Sequence, residues 1–208
     1  MKRVLTILIL SAFLANTDLA KAQEYADTSI QNSKTNKKRH AIYDYAESDL
    51  NSIDTIPGFN TQSDKLKITG TIFKSDGVTP ASNVIFYICQ ADEDGDYHSK
   101  KVNGKRVLRH QGWVKTDKNG EYTFYTFVPG TVWGSKALKQ IHGYVKMPND
   151  TEVYPINHFV FDDDPFLRKS CRKKIAKRGI NNILKLEKQD GLLVGTRNIV
   201  LPSITLTY

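Results

Sequence analysis

From Lys65 onward, apolar and polar positions follow the rhythm of strands. Leu66, Ile68, Gly70 and Ile72 occupy every second place, the period of a strand with one covered face. The next run breaks that rule in an informative way. Val84, Phe86 and Ile88 fall on one face and Ile85, Tyr87 and Cys89 on the other, so this strand is covered on both sides and central. Asp117-Lys118-Asn119-Gly120 reads as a hairpin turn joining Trp113-Val114-Lys115 to Tyr122 through Phe127. Further strands are predicted over Ile141 to Met147, Val153 to Phe161, Ile183 to Leu186 and Ile199 to Leu206. One helix interrupts them, with Asp164 as its cap, Pro165 in its first turn, Leu167, Cys171 and Ile175 along one face, and Gly179 at its exit. The pattern predicts an all-β chain, a two-sheet β-sandwich with one short helix in its C-terminal half.

The first residues follow a different logic. Lys2 and Arg3 precede an apolar run from Val4 to Ala15, and Ala20-Lys21-Ala22 offers small residues at the positions a signal peptidase reads. The run falls short of the roughly 20 apolar residues a membrane span needs. Residues 1–22 are therefore expected to be a signal peptide, and the mature chain to be exported, periplasmic or secreted, with no membrane span after cleavage. Residues 23–64 are polar and read as a partly disordered extension, with Ile56-Pro57-Gly58-Phe59 as a docking point. Residues 65–208 then form the folded domain.

Composition adds two constraints. The formal net charge is +8, concentrated at Lys34 to Arg39 and Arg168 to Arg178. Export and the absence of an aromatic-rich basic motif argue against a nucleic-acid partner, leaving solvated basic faces. The two cysteines, Cys89 and Cys171, are too few for a disulfide framework; their pairing is open.

The chemistry-bearing residues lie between Gly70 and His142. Gln90-Ala91-Asp92-Glu93-Asp94-Gly95-Asp96-Tyr97 follows the central strand; Gly112-Trp113 and the Thr116 to Phe127 hairpin come next; then Pro129-Gly130-Thr131-Val132-Trp133 and Gln140-Ile141-His142. The order resembles the intradiol ring-cleavage dioxygenases, β-sandwich enzymes that split catechols with Fe(III). The resemblance covers most of residues 65–208 and resumes at Phe159 to Pro165 and Gly191 to Leu201.

That family holds ferric iron with two tyrosines and two histidines, hard anionic phenolates suiting a highly charged cation. The resemblance implies that Tyr97 occupies the first tyrosine position and that Val132 replaces the second. On the ungapped register His142 is the second histidine and Gln140 replaces the first. A shifted register would instead make His142 the first histidine, with Tyr144 in place of the second. Either way two of four ligands survive. His98, His110, Tyr144 and His158 are further donor types, and Trp133 and Tyr144 are candidate pocket residues. The family's arginine near the histidine strand has no evident counterpart; Ser135 or Lys139 stands there.

Phosphate loops, nucleophile elbows and zinc spacings are absent from the sequence. Two readings follow from the resemblance: an exported dioxygenase-type protein for catechol-like aromatics with an altered iron site, or a non-catalytic binding or structural module on the same scaffold.

Overall fold

A computed structural model describes residues 39–203 of the chain. The expected signal peptide, the first part of the extension and the last predicted strand residues lie outside them. The described residues form fourteen strands: β1 (Ile53–Thr55), β2 (Lys65–Phe73), β3 (Ile85–Gln90), β4 (Ser99–Val102), β5 (Lys105–Leu108), β6 (Gln111–Lys115) and β7 (Glu121–Phe127), then β8 (Gln140–Lys146), β9 (Tyr154–Pro155), β10 (Phe159–Phe161), β11 (Ile183–Leu184), β12 (Glu187–Gln189), β13 (Leu192–Thr196) and β14 (Ile199–Val200). Among the described residues one α-helix, α1 (Lys169–Lys177), stands between the later strands.

Most strands join two mixed six-stranded sheets. The first runs β1-β7-β2-β13-β12 with β14 also on β2; the second runs β11-β10-β8-β3-β6 with β9 on β8. β4 and β5 pair only with each other, through Asn103 and Gly104, both at positive φ. That Asn-Gly pair is a strong hairpin signal, yet the polar flanks hide the strands from a reading based on apolar alternation. The hairpin tip, Lys101–Arg106, belongs to a different unit from residues 40–100 and 107–203.

The alternation in β2, β7 and β8 arises because one side of each strand enters a shared core. Leu66, Ile68, Tyr122 and Phe124 from the first sheet meet Phe86, Ile88, Ile141 and Val145 from the second. Phe86 packs edge-on against Tyr122 and Phe124, with centroids 4.9 and 5.4 Å away, a favoured aromatic geometry. Every residue of β3 is buried, as its sequence predicts. Its other face carries Ile85, Tyr87 and Cys89, covered by Ile42 and its neighbours. Residues 40–56 thus supply working structure within the stretch expected as an extension. Two short 3-10 helices (Ala41–Tyr43 and Glu47–Asp49) precede β1, which pairs in parallel with β7, and Ile56 enters the shared core.

Two local expectations need correction. The stretch predicted as one strand from Val153 is broken into β9 and β10. The helix starts at Lys169, later than the Asp164 cap implied. The Asp164 carboxylate accepts from the N–H groups of Phe166 and Lys139, both at 2.8 Å, so it braces a turn and the approach to β8. Cys89 and Cys171 are free.

One buried polar contact ties the sheets together. Gln90, at the end of β3, donates through Nε2 to the Phe127 carbonyl at 2.9 Å, while Oε1 accepts from Thr126 Oγ1 at 2.7 Å. Gln90→Leu would orphan both partners, at about 1–3 kcal/mol for each buried group. Urea denaturation of that variant should show a lower midpoint at unchanged slope; an unchanged midpoint would show that the clamp is dispensable.

Candidate functional site

The loop leaving β3 is organised by Asp92. Its Oδ1 accepts from the N–H groups of Asp94 (3.0 Å) and Asp96 (2.8 Å), and its Oδ2 lies 2.8 Å from His98 Nε2. Burial would raise this carboxyl, but those N–H groups and His98 outweigh it and hold the group below the usual carboxylate range. In the sequence the sign of this arrangement is an acid followed by a Gly turn just after a central strand. With the turn fixed this way, Tyr97 is delivered back over the outer face of the second sheet.

A second loop is held against the first by backbone contact. Gly130 donates to the Asp92 carbonyl at 2.7 Å. A Cβ at Gly130 would collide with the Glu93 carbonyl, and one at Gly95, whose φ is +91, with the Val132 amide. Glycine at these two places lets the loops touch, and the contact brings Val132 beside Tyr97. The third part is β8. Its alternation sends Ile141 and Val145 into the core and leaves Gln140 and His142 on the outer face.

These three pieces border a half-open cavity of about 240 Å³, lined by Tyr97, Val132, Gln140 and His142 together with Ala91, Thr131 and Leu138 among others. All four positions that the resemblance singled out therefore face one space. Tyr97 Oη and His142 Nε2 are 2.8 Å apart. Burial, reinforced by Cys89 and Tyr144, pushes the Tyr97 phenol up; burial and the neighbouring His158 push the His142 imidazole down. At neutral pH the pair is a neutral phenol hydrogen-bonded to a neutral imidazole.

The other candidates lie elsewhere. Trp133 is 98% exposed and does not line the cavity. Tyr144 shares the outer face with His142, but it packs under the N-terminal segment, 4.6 Å from the His40 ring. His98 is engaged by Asp92, and His110 Nδ1 lies 2.6 Å from the Pro57 carbonyl oxygen. His158 stacks edge-on against His142, with centroids 4.3 Å apart. Ser135 lines the cavity, whereas Lys139 approaches it through its backbone, bonded to Asp164. A larger cavity of about 600 Å³, bordered by Pro57, Lys100, Leu108, Arg109 and Trp113, includes none of the four positions.

The donor atoms do not fit a four-ligand ferric centre. Val132 offers none, Gln140 offers an amide, and Tyr97 and His142 already satisfy each other. Among the described residues no group of three or more His, Cys, Asp or Glu side chains converges on a metal position. Iron would have to displace the phenolic proton as well as break the hydrogen bond.

Solved structures share the architecture of this chain. The dioxygenase domain of a dioxygenase carbohydrate-binding fusion protein from Streptomyces sp. SirexAA-E superposes with a TM-score of 0.55 at 20% identity, over 76% of this chain and 92% of that one. Catechol 1,2-dioxygenase from Acinetobacter sp. ADP1 gives 0.54 at 16% identity, and hydroxyquinol 1,2-dioxygenase from Pseudomonas putida DLL-E4 gives 0.51 at 14%. The chain has the fold of the intradiol ring-cleavage dioxygenases. The match covers 74% and 75% of this chain but only 58% and 62% of those two enzymes. No protein-family model and no curated protein sequence matches the chain. Within the described residues of this intradiol-type fold, no helix is long and apolar enough to cross a membrane.

The protonation states make a checkable prediction. Imidazoles in the unfolded chain take up protons near pH 6.5, whereas folded His142 and His158 resist until lower pH. Their contribution to stability is complete above that range and falls as pH drops through it toward the folded values. A His142→Gln, His158→Gln double variant should lose less stability between pH 7.5 and 5 than the parent in urea titrations. Equal losses would contradict the assigned states.

Proposed function

We propose that the protein is an exported, intradiol-dioxygenase-type β-sandwich that binds a small catechol-like aromatic in the Tyr97–His142 cavity without cleaving the ring. The observation that carries this reading is the convergence of all four ligand positions on one ring-sized space whose metal-binding set is reduced by half. An apolar cavity of about 150 Å³ can hold benzene, so about 240 Å³ accommodates one ring with hydroxyl substituents. Val132 and Leu138 supply apolar wall, and Tyr97 Oη, His142 Nε2 and the Gln140 amide supply hydrogen-bonding groups for adjacent hydroxyls. The shared lining by Gln140 and His142, with Tyr144 elsewhere, supports the ungapped register. The basic start and apolar run of residues 1–22 support export.

Fe(III), where the family site is complete, binds catechol and activates it toward O2. Two retained donors favour a second reading, in which iron still binds and the ring is opened. Both readings concern this cavity and are separated by product. In a titration with 4-nitrocatechol, absorbance should change to saturation, and Tyr97→Phe should weaken binding about three- to tenfold, the effect of one lost hydrogen bond. Incubation with catechol, Fe(III) and air should yield no ring-opened dicarboxylate. Failure to bind would overturn the binding function; catalytic accumulation of the dicarboxylate would establish the enzyme instead.

A further inference from the structure

Among the described residues three buried side-chain atoms have no hydrogen-bond partner: His158 Nδ1, Asn182 Oδ1 and Arg197 Nε. They belong to one neighbourhood. Asn182 Nδ2 donates to the His158 carbonyl at 2.7 Å, and Arg197 Nη1 donates to the Asn157 carbonyl at 2.7 Å. Arg197 lies in the turn between β13 and β14 and is 6% exposed. Its guanidinium carbon sits 4.4 Å from the centroid of the Phe159 ring. No aspartate or glutamate among the described residues pairs with it. Burial lowers Arg197 to about 10, which leaves it cationic at neutral pH.

A buried cation supported by one carbonyl and one ring is an expensive arrangement, since desolvation is not repaid by an opposite charge. The cost makes sense where an anion arrives from outside. Arg197 borders a cavity of about 580 Å³, with Arg178 at the end of α1 as a second cation on its rim. The remaining wall joins apolar side chains, Phe73, Ile180 and Val200 among them, with the amides of Asn157, Asn181 and Asn198. None of the lining residues is shared with the Tyr97–His142 cavity. Guanidinium groups match the planar geometry of a carboxylate, and the apolar wall matches a hydrocarbon body better than a fully hydrated inorganic ion.

We propose that this second cavity binds a small organic carboxylate, its oxygens held by Arg197 and Arg178 and its apolar body against Ile180 and Val200. The site is independent of the ring-binding cavity. It takes the anionic end of its ligand where the first cavity takes neutral hydroxyls.

Calorimetric titration of the full chain with benzoate, benzamide and inorganic phosphate tests this. Benzoate should bind saturably, and its neutral isostere benzamide at least about tenfold more weakly, because the charge-assisted bonds are lost. Phosphate should bind more weakly than benzoate. Arg197→Lys, which keeps the charge without the fork, and Arg178→Gln, on the exposed rim where folding is not at stake, should each weaken benzoate several-fold. Tyr97→Phe should leave benzoate binding unchanged. The proposal is overturned if benzoate fails to bind, if benzamide binds equally, if phosphate binds more tightly, if both arginine variants bind as the parent does, or if Tyr97→Phe abolishes binding and so places benzoate in the other cavity.

Discussion

The site depends on the amide of Gln90. It is buried at the point where β3 ends, and it is bonded at both ends to β7 of the opposite sheet. A side-chain amide facing a core is tolerable only when both its donor and its acceptor are satisfied, so this contact fixes the separation of the sheets and the direction in which the chain leaves β3. The Asp92 turn begins two residues later, and the Gly130 loop begins three residues after Phe127. Both loops that border the ring-sized cavity are therefore set from one polar anchor inside an otherwise apolar core.

From that anchor the site follows by short steps. Asp92 gathers the N–H groups of its own loop, Gly130 presses against that loop because it has no side chain, and β8 presents Gln140 and His142 by strand alternation. The outcome is a scaffold of dioxygenase fold whose cavity holds a phenol–imidazole pair. In a ferric centre a phenolate and an imidazole would be drawn to the cation. Here burial favours the neutral form of each, and the two bond to one another. The same physics operates at the second cavity with opposite outcome, because a guanidinium cannot shed its proton near neutral pH and so remains a charge in want of a partner.

Much of the sheet architecture could be read from the chain, because burial imposes a period of two on β2, β7 and β8 and removes it from β3. The joining of Tyr97, Val132, Gln140 and His142 in one space was anticipated from motif order, not from any local pattern. Sequence periodicity failed where polar atoms do the positioning. β1 and the β4–β5 hairpin carry little apolar alternation, and the helix begins later than its cap signal implies because Asp164 uses its carboxylate on Lys139 and Phe166 rather than on a helix end. Arg197 was invisible for the same reason: its isolation is a property of what surrounds it in space. Trp133, next to Val132, points into solvent, and Tyr144 shares the face of His142 but lies two residues further along β8, under the N-terminal segment.

Tyr97, Val132, Gln140 and His142 share one cavity, and only two of them keep the donor type a ferric centre of this fold would take. The most direct measurement is the visible spectrum and iron content of protein incubated with Fe(III) and then desalted. With two donors lost, the protein should stay colourless and retain less than one iron per chain. Stoichiometric iron with a tyrosinate charge-transfer band that disappears in Tyr97→Phe would contradict it.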